Sequence, residues 1–236
     1  MILSHEHKFI FIKTNKTGGT SIEIALSKFC GPNDIVTRIS PADEEMRSSL
    51  GYTGPQNDML VKPRYRGWMD SVRHRLQKAD RRKTKKADFY NHMPASRIRE
   101  LIPVNIWNSY FKFCVERNPW DRVVSAYYWQ NKFEPRQPMI DWLNARGIES
   151  LRKRGRELYT IDGSVVVDRV LKFENLADEL EEVRKLLGLS EALELPNAKA
   201  SFRKEKRHYS EVFSDEEKQI ISRNFEFEIK SFGYEF

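Results

Sequence analysis

The sequence predicts an α/β fold, with a central parallel sheet covered by helices on both faces. Three stretches carry the prediction. Phe9-Ile-Phe-Ile12 is a short β-branched and aromatic run that leads through a glycine turn into a helical pattern. Ser109-Tyr-Phe-Lys-Phe-Cys-Val115 leads in the same way into Asn118-Pro119 and a second helical pattern. A third strand between Gly163 and Phe173 precedes Leu176, Leu180, Val183 and Leu187 at helical spacing. Strands that alternate with helices need crossover connections, and those make neighbouring strands parallel.

Taken in order, Phe9-Ile-Phe-Ile12 reads as the first strand, and Ile22 to Phe29 as a helix closed by Gly31-Pro32. Ile35 to Ile39 reads as a strand and Pro41 to Leu50 as a helix. From about Gly51 to Ala87 the periodicity is lost, and this stretch reads as a loop plus one exposed helix inserted in a single domain of residues 1–236. Asn118 is placed to cap a helix that begins with Pro119 and turns Val123, Val124, Tyr127 and Tyr128 to its apolar side. Ser214-x-x-Glu217 is a capping box, and Ile221, Phe225, Ile229 and Phe232 continue that helix towards the core.

Composition narrows the function classes. The 236 residues suit one domain with a real core, and 12% aromatic residues argue against disorder. Two cysteines, Cys30 and Cys114, without a CxxC exclude a disulfide scaffold and a cysteine-based zinc site. Cys114 lies in a core strand, where a thiol is inert. No run of eighteen apolar residues occurs and the first residues lack a signal-peptide layout, so the expectation is a soluble, cytoplasmic protein. The net charge of +7 points to an anionic partner, but it is unevenly placed. Residues 62–86 hold eleven Lys/Arg and two Asp, a net of +9, which leaves the rest of the chain at −2. That insert reads either as a flap that draws in an anionic substrate or as a solvated basic helix.

Two constellations carry chemistry. Lys16-Thr17-Gly18-Gly19-Thr20-Ser21 follows the first strand and opens a helix. Glycines let the backbone approach a bound group, a helix N-terminus attracts anions, and Thr17, Thr20 and Ser21 offer hydroxyls. The loop is a phosphate cradle or a plain tight turn. It is not a Walker A loop, because its lysine precedes the glycines. The second constellation has Arg117 at the carboxyl end of a strand and Ser125 eight residues later in the following helix. The two either share one phosphate or form an N-cap ion pair beside an ordinary helix serine.

With both elements in this order, the chain resembles the sulfotransferases that use 3′-phosphoadenosine 5′-phosphosulfate (PAPS), and more narrowly the carbohydrate and bacterial, family 2-like branch. Leu171-Lys-Phe-Glu-Asn-Leu176 and Phe232-Gly-Tyr-Glu-Phe236 extend the resemblance over most of the chain, residues about 45–87 excepted. Asn15 departs from it, standing where the family commonly has proline, with an expected effect on loop rigidity more than on chemistry. The resemblance implies a P-loop-like three-layer α/β/α sandwich and transfer of a sulfuryl group from PAPS to a hydroxyl acceptor, a carbohydrate; the flap reading of the basic insert adds the expectation that this acceptor is anionic. It assigns residues 16–21 to the 5′-phosphosulfate and Arg117 with Ser125 to the 3′-phosphate. Lys16 becomes the cation that meets charge on the bridging oxygen, and no metal is required. His92, in Phe89-Tyr-Asn-His-Met-Pro-Ala95, resembles the proposed base of related bacterial enzymes, or else is a structural histidine. Arg203 lies where relatives place a basic residue near the 3′-phosphate, or in a solvated basic loop. Trp120 and Trp129 either stack on a ring of the ligand or pack in the core.

Two other readings compete. A P-loop nucleotide kinase lacks its Gly-Lys-[Ser/Thr] here, and EDTA separates the two enzymes. A nucleic-acid-binding module built on the basic insert predicts salt-dependent binding, but no nucleic-acid motif accompanies it.

Overall fold

The computed structural model describes residues 1–60, 87–196, 205 and 207–236. Most of the basic insert and Arg203 lie outside the described residues, as does the helix expected in that insert.

Seven strands are described: β1 (Ile2–Ser4), β2 (Phe9–Phe11), β3 (Ile35–Val36), β4 (Phe111–Glu116), β5 (Thr160–Ile161), β6 (Ser164–Val165) and β7 (Arg169–Lys172). Five form the main sheet in the order β3-β1-β2-β4-β7. The strands β2, β4 and β7 are parallel, with Phe9 opposite Phe111 and Phe113 opposite Arg169. β1 is antiparallel to both β2 and β3, so the sheet is mixed and the expected all-parallel sheet is corrected at this edge. No local pattern marks β1, because so short a run shows no period. Pairing with β2 and β3 on both edges defines it, and Ile2, Leu3 and Ser4 are wholly enclosed there. β5 and β6 form a separate hairpin around Asp162-Gly163, both with positive φ as a tight two-residue turn requires.

Alternation along the strands builds two cores. Phe9, Phe11, Phe113 and Val115 face Ile22 and Leu26 of the helix Gly19–Ser27 and Leu180 and Val183 of the helix Leu176–Leu187. Ile10, Ile12 and Cys114 face Phe89, Met93, Ile98, Leu158 and Tyr159 on the other side. Helices therefore cover both faces, as the α/β reading requires. A third cluster joins Trp120, Val123 and Tyr127 of the helix Pro119–Gln130 to Trp142, Leu151, Ile221 and Phe225.

The caps read from the sequence are present. Asn118 Oδ1 accepts from the N–H groups of Trp120 and Asp121 at 3.1 and 3.4 Å. Ser214 and Glu217 form the reciprocal capping box. The last helix is interrupted, however: Asp215–Asn224 and Glu226–Phe232 are separate helices that meet at Phe225, whose φ of −116° and ψ of 26° break the ladder. The apolar spacing continues across that break, so periodicity alone gives no sign of it.

Candidate functional site

The carboxyl ends of β2, β4 and β7 meet at one edge of the sheet, the place where open α/β sheets hold ligands. β2 delivers residues 12–18, β4 delivers Glu116, Arg117 and Asn118, and β7 delivers Phe173 and Glu174. These exits are stitched together. Ile12 N–H donates to the Phe113 carbonyl at 2.9 Å, and Thr14 Oγ1 donates to the Val115 carbonyl. Glu174 Oε1 accepts from the Asn118 N–H at 2.6 Å.

The loop after β2 is mostly turned inward. Between residues 11 and 20 only Lys16 and Gly18 reach the surface, and each only partly. Thr17 Oγ1 is buried against Thr14 Oγ1 at 2.8 Å. The Thr17 hydroxyl is therefore bonded inside the fold. The glycines have two different reasons to be glycine. Gly18 has φ of 73°, a conformation costly for any side chain, and leads directly into the helix Gly19–Ser27. A Cβ on Gly19 would stand 2.8 Å from Lys13 Cγ and 3.3 Å from the Thr14 carbonyl, so the turn is too close-packed for one. Among the described residues no side chain caps this helix, whose first turn contains Thr20 and Ser21.

Lys16 connects the loop to the other flank. Its φ is 64°, its carbonyl accepts from Arg117 Nη1 at 3.2 Å, and its ammonium lies 5.1 Å from the centre of the Trp129 ring. Lys132 Nζ lies 5.3 Å from the same ring. Trp129 is thus a half-buried platform for two ammonium groups, whereas Trp120 is a core residue stacked on Tyr209.

Arg117 begins where β4 ends. Its Nε and Nη2 donate to Asp121 Oδ2 at 2.7 and 2.5 Å, and its guanidinium lies 4.2 Å over the Phe173 ring. The ion pair of the plainer reading therefore exists, and it fixes the guanidinium plane. Ser125 follows Asp121 by four residues on the same helix face and is half-buried. Arg117, Asp121, Ser125 and Trp129 thus form one stripe along the flank that faces Lys16.

His92 sits at the start of the loop, where Nδ1 is 2.9 Å from the Lys13 carbonyl. A carbonyl only accepts, so Nδ1 carries the proton and Nε2 keeps its lone pair. Burial and the neighbouring Lys13 ammonium pull the ring pKa down to about 3, so the imidazole is neutral at pH 7. Lys13 Nζ in turn pairs with Glu23 Oε2 at 2.8 Å, both fully buried, with the Arg47 guanidinium 4.0 Å from Glu23 Oε1. Despite burial, the Met1 amino group, 3.0 Å from Glu23 Oε1, and the Lys13 ammonium hold the Glu23 carboxyl down to about 2. Among the described residues five non-glycines have positive φ, and Lys16 and His92 are two of them. Lys8 and Asp162 occupy hairpin turns, where such angles are routine, whereas Lys16 lies in the loop after β2 and His92 is bonded to that loop at Lys13.

The structure thus brings Lys16, Arg117 and Trp129 together and anchors His92 on the carbonyl of Lys13, three residues before Lys16. Lys13, Asp121, Phe173 and the inward role of Thr17 had no sequence signal beyond their residue types. A hollow of about 460 Å³ is lined by Leu143, Asn144, Arg152, Lys153 and Asn224, none of which is among these residues. No helix among the described residues is long and apolar enough to cross a membrane.

A model of the sulfotransferase family matches residues 1–164 of this chain. An uncharacterized protein of Archaeoglobus fulgidus is 29% identical to it over 106 residues, which is 44% of this chain and 88% of the relative. No solved structure matches. The family match spans well over half of the chain and includes the loop, the strand exit and the stripe that faces them; the chain belongs to the sulfotransferase family.

Proposed function

We propose that this chain, as one P-loop-like three-layer domain, transfers a sulfuryl group from PAPS to a hydroxyl of a carbohydrate acceptor. The observation that carries the reading is the bond from Arg117 Nη1 to the Lys16 carbonyl, which sets two cations at one crevice over three parallel strand ends. Lysine, guanidinium and a helix N-terminus are the donor set that a phosphosulfate and a phosphate require, so the residues present fit the donor. The donor supplies the sulfuryl group and leaves as adenosine 3′,5′-bisphosphate.

Each residue then has a task. Arg117 and Ser125 hold the 3′-phosphate, and Arg203 is assigned to the same side. The N–H groups of residues 17–21 hold the 5′ end, Thr17 by its backbone rather than its hydroxyl. Lys16 neutralises charge at the bridging oxygen, a contribution larger in the transition state than in the ground state. His92 Nε2 accepts the acceptor's proton, with Nδ1–H held by Lys13 so that the ring presents the correct nitrogen. An anion bound nearby offsets the Lys13 ammonium and raises the affinity of the ring for that proton.

The test is transfer from ³⁵S-labelled PAPS to a panel of hydroxyl-bearing glycans, with and without EDTA. Transfer should survive EDTA and fall about 10²–10³-fold in Lys16→Ala, the scale of losing one charge-stabilising donor. Full turnover in Lys16→Ala, or ATP-dependent phosphorylation that EDTA abolishes, would overturn the reading.

A further inference from the structure

We propose that Arg122 is the positioning residue of the Lys16 loop, acting through a buried clamp that fixes the backbone of Asn15 on both sides. The inference rests on the reading of Lys16 as the working cation, but the clamp itself is a statement about the loop.

Arg122 is 1% exposed, in the helix Pro119–Gln130. A buried guanidinium needs a counter-charge, and Glu116 Oε1 supplies it at 2.8 Å from Nη1. Tyr159 donates its hydroxyl to the other carboxylate oxygen at 2.9 Å. Charge neutrality is complete with that pair, yet three more donors are committed elsewhere. Nε donates to the Asn15 carbonyl at 2.9 Å, and Nη2 donates to the carbonyls of Leu151 and Arg154 at 3.1 and 3.2 Å.

The Arg154 carbonyl also accepts from the Asn15 N–H, at 2.7 Å. Asn15 therefore has its carbonyl held by Arg122 and its amide held by a carbonyl that Arg122 also holds. The next residue is Lys16. Three chain segments converge on one side chain: the loop, the end of β4, and the end of the helix Ile148–Lys153. Gly155 keeps the space open, since a Cβ there would stand 2.4 Å from Nη2. The planar fork explains the choice of residue, because a lysine cannot serve three carbonyls and a carboxylate in one plane.

The purpose follows from distance. Lys16 must meet a single oxygen, and a displacement near 1 Å costs on the order of 10²-fold in rate. Its own left-handed backbone, at φ of 64°, persists only if its neighbours are fixed.

The experiment compares Arg122→Lys, Gly155→Ala and the core control Val183→Ala, whose side chain lies in the cluster on the other side of the sheet from Tyr159. The first readout is hydrogen exchange at the Asn15 amide in the ligand-free protein. The second is kcat set against the Kd of adenosine 3′,5′-bisphosphate. The clamp predicts at least tenfold faster Asn15 exchange in Arg122→Lys and Gly155→Ala, but not in Val183→Ala at the same loss of Tm. It also predicts kcat lower by about 10–100-fold with the bisphosphate Kd changed several-fold less. If Arg122→Lys fails to fold, Gly155→Ala decides. Wild-type exchange at Asn15 in the folded variants, or equal losses of kcat in Val183→Ala, overturns the proposal. Faster exchange in a protein whose wild type binds no bisphosphate upholds the clamp and instead overturns the assigned donor.

Discussion

The two flanks of the crevice are built on opposite principles. On the β2 side the side chains of Lys13, Thr14, Asn15 and Thr17 are buried, and Lys16 and Gly18 are the partly exposed residues of the loop. On the β4 side the backbone is spent on strand and helix, and the side chains of Arg117, just ahead of the helix, and of Ser125 and Trp129, four residues apart along one helix face, are partly buried. One flank is therefore specified by conformation and the other by residue type. The first tolerates changes of polar group but not of shape, and the second the reverse.

The largest expected effect that tests this contrast lies beneath the first flank. Glu23→Gln leaves the buried Lys13 ammonium and Met1 amino group without their carboxylate and should cost about 3–5 kcal/mol of stability in chemical denaturation. A loss under about 1 kcal/mol would mean that these cations do not depend on Glu23. Next comes Gly18→Ala, which forces a Cβ into a left-handed turn beside Phe173, 3.1 Å away. It should weaken bisphosphate binding about tenfold by distorting the cradle, with a stability cost near 1 kcal/mol. Unchanged affinity would show that the loop backbone does not contact the ligand.

A matched pair sharpens the contrast further. Thr17→Val removes a buried hydroxyl bonded to Thr14 and should lower stability by about 1 kcal/mol with little change in ligand affinity. Ser125→Ala should do the opposite, lowering affinity with little change in stability. If both variants behave alike in the two assays, the division between the flanks fails.

The effect that is smallest at neutral pH, and grows only in acid, is on pH dependence. His92 has its pKa lowered from 6.5 to about 3 in the native protein. Between those values the unfolded chain binds the proton and the native chain does not, so stability falls as pH drops through that window. His92→Gln should flatten this part of the acid limb by up to one proton. An unaltered slope would place the ring in solvent.

The legible part of the molecule was what has a local rule. Glycines at a turn, Asn118 ahead of Pro119, the Ser214–Glu217 box and the strand runs each announce themselves within a few residues. Arg117 and Ser125 are singled out by spacing and resemblance alone. The rest depends on tertiary partners. β1 is three residues paired on both edges, the break at Phe225 leaves the apolar spacing intact, and Lys13, Glu23, Arg47 and Arg122 are charged residues whose burial no local pattern encodes. Thr17 was chemically suited to a ligand, and only packing reveals that its hydroxyl points inward.

Calorimetric titration with adenosine 3′,5′-bisphosphate, in the wild type and in Arg117→Ala, tests the central claim most directly. The two-cation crevice predicts saturable one-to-one binding that weakens at least tenfold in the variant, the scale of one charged hydrogen bond, about 1.5–3 kcal/mol. No binding heat in the wild type, or equal affinity in the two proteins, would contradict it.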